Sequence, residues 1–340
     1  MKKYILSASL IALLVVGCST NKNASKEVTA EKYLSEIKAE NLSKHLYIVA
    51  SDEMEGRNTG EPGQKKAGEY IIEQYKAMGI SFPIGANSFY QPIPSEFFKK
   101  QFSPKLGDSE NIWAFIEGTD KKDEILVISA HYDHVGMKNG EVYNGADDDG
   151  SGTVALLEIA AAFQKAKKAG HGPRRSILFL HVTGEEHGLH GSRFYAENPL
   201  FPIANTITNI NIDMIGRRGY GKEENDNYVY VIGSDRLSSD LHRISEEANT
   251  KFIGMELDYK YNDLNDPNRF YYRSDHYNFA KKGIPAIFYF NGVHDDYHKP
   301  TDTPDKIDYP LLAKRAQLAF VVAWELANAA ERPKVDKDGK

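Results

Sequence analysis

The sequence predicts an α/β fold, a three-layer sandwich in which a mixed, largely parallel sheet lies between two layers of helices. Two observations lead to this prediction. Short apolar runs rich in β-branched and aromatic residues alternate along the chain with longer segments whose apolar residues recur at helical spacing. Polar residues of catalytic type follow several of the short runs. In open α/β sheets, ligands bind outside the carboxyl ends of the strands.

The helices are predicted from apolar periodicity and from residues that favour helix ends. Residues 29–49 carry apolar side chains at helical spacing. Pro62 lies in the first turn of a helix that runs to Met78 and ends at Gly79. Further helices are expected at residues 152–168, 189–197, 237–250 and 310–330.

Six apolar runs are predicted to be strands, at residues 111–116, 124–130, 176–182, 206–212, 228–233 and 284–290. Residues 82–102, which contain Pro92 and Pro94, are typical of a loop or an edge strand. The strand at 176–182 leads directly to Glu185 and Glu186. Two adjacent carboxylates at the end of a buried strand are costly to desolvate unless a cation or a proton compensates them.

Length and composition favour a single folded domain. The chain has 340 residues, of which 41% are hydrophobic, so it can bury a full core. No shift in composition divides residues 29–331, and residues 332–340 are expected to form a disordered tail. A net charge of −6 without a long basic stripe argues against a nucleic-acid partner. The single cysteine excludes an intramolecular disulfide.

The amino terminus resembles a bacterial lipoprotein signal. A positively charged start precedes an apolar segment, residues 5–16, that is too short to span a bilayer comfortably. The resemblance implies that residues 1–18 are a signal peptide ending at a lipidated Cys18, with residues 19–28 as a flexible tether. Ser19 after the cysteine resembles the outer-membrane pattern, so we expect an exported protein anchored by lipid to the cell envelope. An ordinary secretory signal with a free cysteine is the alternative.

Five places at or after the predicted strands carry residues that bind metals in proteins. They contain His131 with Asp133, the aspartates 147–149, Glu185 with Glu186, Asp213, and His298. Taken singly, each has a structural explanation such as a helix cap. Together they predict a metal centre, because the carboxyl ends of parallel strands meet at one edge of a sheet. Asp133, two positions after His131, could orient that histidine.

The motifs carry a family resemblance. HYDH at 131–134, GADDDGSG at 145–152, GEEHGLHGS at 184–192, NIDM at 211–214 and YHKPTDT at 297–303 resemble, in this order, those of co-catalytic dizinc exopeptidases. That family includes bacterial leucyl aminopeptidases, glutamate carboxypeptidase-type enzymes and glutaminyl cyclases. The resemblance spans about residues 49–305 and implies two zinc ions per chain.

The resemblance also implies a role for each matching residue. His131 and Asp213 would bind one zinc ion, Glu186 and His298 the other, and Asp148 both, with a cis peptide bond after Asp148. Glu185 would be the general base for a hydroxide between the ions, and Tyr297 a donor to the oxyanion. Asp275 and His276 belong to a segment that resembles one lining the family's site, so they are candidates for substrate contact or for indirect support. His134, His181, His187 and His190 are expected to be structural or surface histidines.

The predicted function is a zinc-dependent exopeptidase acting on peptides, specifically an aminopeptidase. An aminopeptidase must hold a free α-ammonium group, and the motifs supply carboxylates at Asp133, Asp147, Asp149 and Asp275. A carboxypeptidase needs a basic clamp, which Arg217, Arg218 and Arg273 keep open as an alternative. A one-zinc glutaminyl cyclase and a non-catalytic binding module are further alternatives.

Overall fold

The computed structural model describes residue 1 and residues 30–339, so the signal, Cys18 and the tether lie outside the described residues. The described helices are α1 (Glu31–Leu34), α2 (Ala39–Val49), α3 (Pro62–Met78), α4 (Ser95–Lys100), α5 (Gly152–Lys168), α6 (His190–Glu197), α7 (Ser239–Phe252), α8 (His276–Ala280) and α9 (Tyr309–Asn328). The described strands are β1 (Tyr90–Ile93), β2 (Ser109–Ile116), β3 (Lys121–His131), β4 (Met137–Lys138), β5 (Glu141–Val142), β6 (Arg175–Val182), β7 (Thr206–Ile212), β8 (Tyr228–Ile232), β9 (Glu256–Asp258) and β10 (Ala286–Phe290).

Eight of these strands form one sheet in the order β1-β2-β6-β3-β7-β10-β8-β9, and β4 and β5 form a separate hairpin. The four central strands β6, β3, β7 and β10 are parallel to one another. The antiparallel pairings are β1 with β2, β2 with β6, and β10 with β8. The prediction of a mixed, largely parallel sheet is therefore confirmed.

Alternate residues of β3 show that helices cover both faces of the sheet. Leu126 and Ile128 belong to the large core cluster that contains apolar residues of α2, α5 and α9. Ile125 and Val127 point to the other face, where they join a cluster with Tyr195 of α6 and Phe279 of α8. Since both faces are buried, the chain has the predicted three-layer sandwich.

Most predicted elements agree with the structure to within a few residues, with α3 starting at Pro62 and ending before Gly79 at φ +72°. The helical segment predicted at residues 29–49 is instead divided into α1 and α2. Residues 82–102 contain the expected edge strand β1, but they also contain the short helix α4, which was not predicted. Two prolines in this stretch argued against a helix. Pro94, however, caps the start of α4, where its carbonyl accepts from the N–H of Phe97 at 2.8 Å and no N–H of its own is required.

Residues 332–339 lie along the start of α7, although their composition predicts a disordered tail. The backbone N–H of Ser239 donates to Asp336 Oδ1 at 2.8 Å, and the N–H of Gly339 donates to the Arg236 carbonyl at 3.0 Å. Asp336 thereby satisfies an N–H group at the helix start that has no partner within α7. Polar capping contacts of this kind leave no apolar pattern in the sequence.

The topology brings four chain segments to one edge of the sheet. His131 is the last residue of β3, and Asp213 directly follows β7. Glu185 and Glu186 follow β6 within four residues, and His298 lies in the loop after β10. No helix among the described residues is long and apolar enough to cross a membrane.

Candidate metal centre

His131, Asp148 and Asp213 form one group of potential metal ligands. His131 Nε2 lies 3.2 Å from Asp148 Oδ1 and 3.6 Å from Asp213 Oδ1. Ligand atoms about 2.0–2.2 Å from a tetrahedral zinc ion are roughly 3.3–3.6 Å from one another. The three side chains are therefore spaced as ligands of one ion.

A second group lies on the other oxygen of Asp148. His298 Nε2 is 3.0 Å from Asp148 Oδ2 and 3.0 Å from Glu186 Oε2. Asp148 thus presents one carboxylate oxygen to each group, as a carboxylate shared by two ions would. The peptide bond between Asp148 and Asp149 is cis, which confirms that expectation.

Unpaired buried atoms support the fit of these residues to metal ions. His131 Nε2, Asp148 Oδ2 and Glu186 Oε1 are buried and have no hydrogen-bond partner among the described residues. Buried polar atoms without partners are costly, and one cation in each ligand group would satisfy all three atoms. The mixture of imidazole nitrogen and carboxylate oxygen suits zinc.

The two aspartates beside Asp148 have structural contacts. Asp149 accepts hydrogen bonds from the backbone N–H groups of His131 at 3.2 Å and Met214 at 3.1 Å, so it joins the ends of β3 and β7. Asp147 Oδ1 accepts from the N–H of Gly216 at 2.6 Å, and Asp147 Oδ2 lies 3.0 Å from His294 Nε2. The triplet therefore has one candidate ligand and two residues that hold its loop.

Asp133 supports the site differently from the prediction. His131 Nδ1 lies 3.0 Å from the backbone carbonyl of Asp133 and 3.7 Å from its carboxylate. A carbonyl only accepts, so Nδ1 carries the proton and Nε2 is left free for a metal. The Asp133 carboxylate instead accepts from Thr59 Oγ1 at 2.9 Å and from the backbone N–H of Glu185 at 3.2 Å. It therefore positions the loop that carries the predicted base.

Arg57 is a site-building residue that no sequence pattern indicated. Its guanidinium group is fully buried and donates to the carbonyls of Val49, Tyr132, Asn144 and Gly145. These bonds tie the HYDH loop to the loop that precedes Asp148. In the sequence Arg57 lies in a turn-rich polar stretch, where an arginine is ordinarily solvated.

A cavity opens beside Asp148 and Asp213 of the first ligand group. Its polar lining consists of Asp148, Glu185, Asp213, Arg273 and Tyr297, and its apolar lining of Met214, Phe270, Phe288, Phe290 and Val293. Glu185 Oε2 lies 4.0 Å from His131 Nε2, so the predicted base borders the first group.

Burial raises the pKa values of the two predicted catalytic groups, Glu185 and Tyr297. Burial, reinforced by the charges of Asp213 and Asp275, raises the pKa of Glu185 well above its ordinary value, against the opposing effect of His131. Two bound cations would act in the opposite direction. Burial and then the charges of Asp148, Glu186 and Glu185 raise the pKa of Tyr297, so its hydroxyl stays protonated at neutral pH and can donate.

Asp275 and His276 are fully buried, and the structure brings neither to the cavity lining. Burial raises the pKa of Asp275 to about 7. The charge of Asp275 contributes to the raised pKa of Glu185, which fits indirect support. His276 stacks on Phe288 with ring centroids 5.0 Å apart, as a packing residue does. In this structure, neither side chain is placed to contact a substrate in the cavity.

The other predicted structural histidines fall into two classes. His181 and His190 are buried and hydrogen-bonded to Tyr75 and Ser103 at 2.8 Å each, and His187 is exposed beside Asn58. His134 differs, because it groups with Asp148 and Glu186 as a potential metal ligand.

A sequence profile of peptidase family M28 matches residues 111–323, more than half of the chain. The chain belongs to peptidase family M28. This confirms the predicted dizinc exopeptidase family and, with it, a zinc-dependent metallo-exopeptidase that acts on peptides.

Relatives agree with the family, and a solved structure agrees with the fold. A protein of Trichophyton verrucosum named "Probable leucine aminopeptidase" is 27% identical over 320 residues, which cover 90% of this chain and 78% of that protein. A "Probable zinc metalloprotease" of Pyricularia oryzae is 28% identical over 262 residues, 64% of this chain and 50% of that protein. The crystal structure of Legionella pneumophila LapA aminopeptidase matches with a TM-score of 0.68 at 23% identity, over 89% of this chain and 75% of that one.

Proposed function

We propose that this M28 peptidase removes amino-terminal residues from peptides. The observation that carries the proposal is the charge of the cavity. Its lining contains the carboxylates Asp148, Glu185 and Asp213 against one cation, Arg273. With Glu186 added, four carboxylates match the charge of two zinc ions, so the loaded site keeps little positive charge to hold a substrate carboxylate.

Side chains of the cavity supply the groups that peptide hydrolysis requires. When bound, the zinc ions provide Lewis acidity that polarises the scissile carbonyl and makes water a better nucleophile. Glu185 takes the proton of the attacking water and returns it to the leaving amine. Tyr297, kept protonated by its raised pKa, donates to the carbonyl oxygen as negative charge develops there.

The apolar wall favours an apolar amino-terminal residue. Three aromatic rings, Phe270, Phe288 and Phe290, line the cavity next to the candidate ligands, and Val293 and Met214 complete the wall. Apolar substrate side chains would be removed from water there. The relative named as a leucine aminopeptidase agrees with this preference.

Carboxypeptidase activity is the second candidate, and Arg273 is the residue that favours it. Arg217 lies 2.9 Å from Asp296, and Arg218 lies 2.7 Å from Asp308, so neither is free for a substrate. Arg273 lines the cavity, with its guanidinium 4.8 Å from the centre of the Phe270 ring. A single cation at the rim can also hold a substrate carbonyl, so we place carboxypeptidase activity second.

A one-zinc cyclase is the third candidate. The Asp148 carboxylate faces a group of ligands on each side, at 3.2 Å and 3.0 Å, which favours two ions. Zinc analysis separates the two possibilities, since a cyclase of that type would bind one ion per chain.

A peptide-library digest, read by mass spectrometry with and without chelator, tests the direction of attack. Each peptide is supplied free, amino-terminally acetylated and carboxyl-terminally amidated. We expect the acetylated peptides to resist cleavage and the amidated ones to be processed like free peptides, starting with apolar residues. Loss of cleavage in the amidated set alone would show a carboxypeptidase, and Arg273→Ala should then abolish it.

We also propose that the enzyme is exported and anchored to the cell envelope by lipid on Cys18, most simply in an outer membrane. The signal-like start and the polar residues 19–28 support this proposal. Growth with a radiolabelled fatty acid should label the wild-type protein, whereas Cys18→Ser should remain unlabelled and be released from membranes. An unlabelled wild-type protein would contradict the anchor.

A further inference from the structure

His134 lies three residues after His131, in the irregular segment that follows β3. Its side chain is fully buried. The backbone N–H of His134 donates to the Arg57 carbonyl at 3.1 Å, which anchors this segment. Gly145 makes room for the ring, because a Cβ at that position would lie 2.5 Å from His134 Cδ2. The loop before Asp148 is thus shaped around this imidazole.

The imidazole of His134 points into the second ligand group. Its Nδ1 lies 2.7 Å from Glu186 Oε1 and 3.8 Å from Asp148 Oδ2. Despite this proximity, neither His134 Nδ1 nor Glu186 Oε1 has a hydrogen-bond partner among the described residues. The two atoms are close without being aligned for a hydrogen bond. That is expected where both are directed at a third atom between them.

His131 Nε2 in the first group provides a comparison. It too is buried, lies near carboxylate oxygens and has no hydrogen-bond partner among the described residues. On both sides of Asp148, a buried imidazole nitrogen without a hydrogen-bond partner among the described residues therefore faces carboxylate oxygens. The other ring nitrogen of His131 is held by the Asp133 carbonyl, whereas both ring nitrogens of His134 lack such a partner.

The two histidines of the second group flank Glu186. His298 Nε2 faces Oε2 at 3.0 Å, and His134 Nδ1 faces Oε1 at 2.7 Å. Their ring centroids are 5.7 Å apart, with the planes at 72°. Two imidazoles on one zinc ion, each bound at about 2.0–2.1 Å, place their ring centres roughly 5–6 Å apart.

We propose that His134 binds the second metal ion through Nδ1, so that His134, His298, Glu186 and Asp148 hold this ion. The two positions then differ. The first has one imidazole and two carboxylates, and it keeps an open coordination site for water or substrate. The second has two imidazoles and four protein ligands, so it should bind zinc more tightly and lose it last.

This inference rests on the zinc centre of the proposed function, but not on the direction of peptide cleavage. X-ray absorption at the zinc edge of the wild-type dizinc enzyme counts imidazole ligands directly. Three histidines on two ions give about 1.5 imidazoles per zinc, whereas the two family histidines give about 1.0. A wild-type value of about 1.0 would overturn the proposal without any variant.

Zinc competition against a chelator provides the second measurement, with His134→Ala, His298→Ala and His181→Ala compared. His181 is a buried histidine hydrogen-bonded to Tyr75, so it controls for the loss of a buried imidazole. We expect His134→Ala to weaken the tighter zinc site at least tenfold and to lower the imidazole count, while His181→Ala keeps both. Weaker binding with an unchanged count would mean that His134 only positions Glu186, and unchanged binding would exclude both roles. Either result overturns the proposal. The direction of cleavage is decided separately, by the digests of the acetylated and amidated peptides.

Discussion

Ser274 Oγ donates a hydrogen bond to Asp213 Oδ2 at 2.6 Å, which leaves Asp213 Oδ1 facing His131 Nε2. Asn211 in turn donates to Ser274 Oγ at 2.7 Å, so the hydroxyl is held in place. Partners that orient a ligating carboxylate typically contribute 10–100-fold in metal affinity. We predict that Ser274→Ala weakens one zinc site by this factor, measured by chelator competition. If each zinc site has the same affinity in the variant as in the wild type, this prediction is contradicted.

Asp148 is predicted to serve both zinc ions, because its two oxygens face separate ligand groups. Asp148→Ala should therefore reduce binding at both positions, while His131→Ala or Asp213→Ala should empty only one. Elemental analysis of each purified variant at saturating zinc measures this difference. A wild-type protein that binds no more than one zinc ion per chain would contradict the dizinc assignment.

Two buried histidines make the fold sensitive to acid. Burial lowers the pKa of His276 to about 3 and that of His181 to about 3. An unfolded histidine binds a proton below about pH 6.5, whereas these two bind one only near pH 3. Within that window the unfolded state holds more protons, so the free energy of unfolding falls as the pH falls.

We predict that His276→Phe reduces this loss of stability, because its ring packs between Phe288 and Tyr271 in an apolar setting. The free energy of unfolding of the variant minus that of the wild type should be about 2 kcal/mol larger at pH 5 than at pH 7.5. Denaturant unfolding of the chelated enzyme at both pH values measures this gain and avoids effects of zinc loss. The control is His187→Phe, at an exposed histidine, which should show no gain in the free energy of unfolding at pH 5. Parallel pH profiles of His276→Phe and wild type would refute the prediction.

Much of the candidate site could be predicted because the candidate ligands follow recognisable strands. The apolar runs before His131, Glu185 and Asp213 are strongly patterned, and parallel strands bring their ends together. A candidate ligand that follows such a strand can therefore be placed in the fold as well as recognised by its residue type. The middle aspartate of the triplet was assigned from the motif, and the structure places it between the two ligand groups.

His134 and Arg57 could not be predicted in the same way. His134 lies in an irregular segment and Arg57 at the end of a short 3₁₀ helix, Asp52–Arg57, and in neither place does an apolar periodicity indicate the direction of a side chain. Arg57 is buried because it satisfies four carbonyls, three of which belong to the distant residues Tyr132, Asn144 and Gly145. His134 is buried because Gly145 makes room for its ring. Contacts of this kind depend on tertiary structure alone.

Glu185 provides the most direct test of the account. The substitution Glu185→Gln keeps nearly the same shape, but the amide cannot accept a proton from water. We predict that the variant retains two zinc ions by elemental analysis and that kcat for apolar amino-terminal substrates falls by about 10²–10⁴-fold or more, with little change in KM. Full turnover by a variant that holds both ions would contradict a mechanism in which Glu185 is the general base.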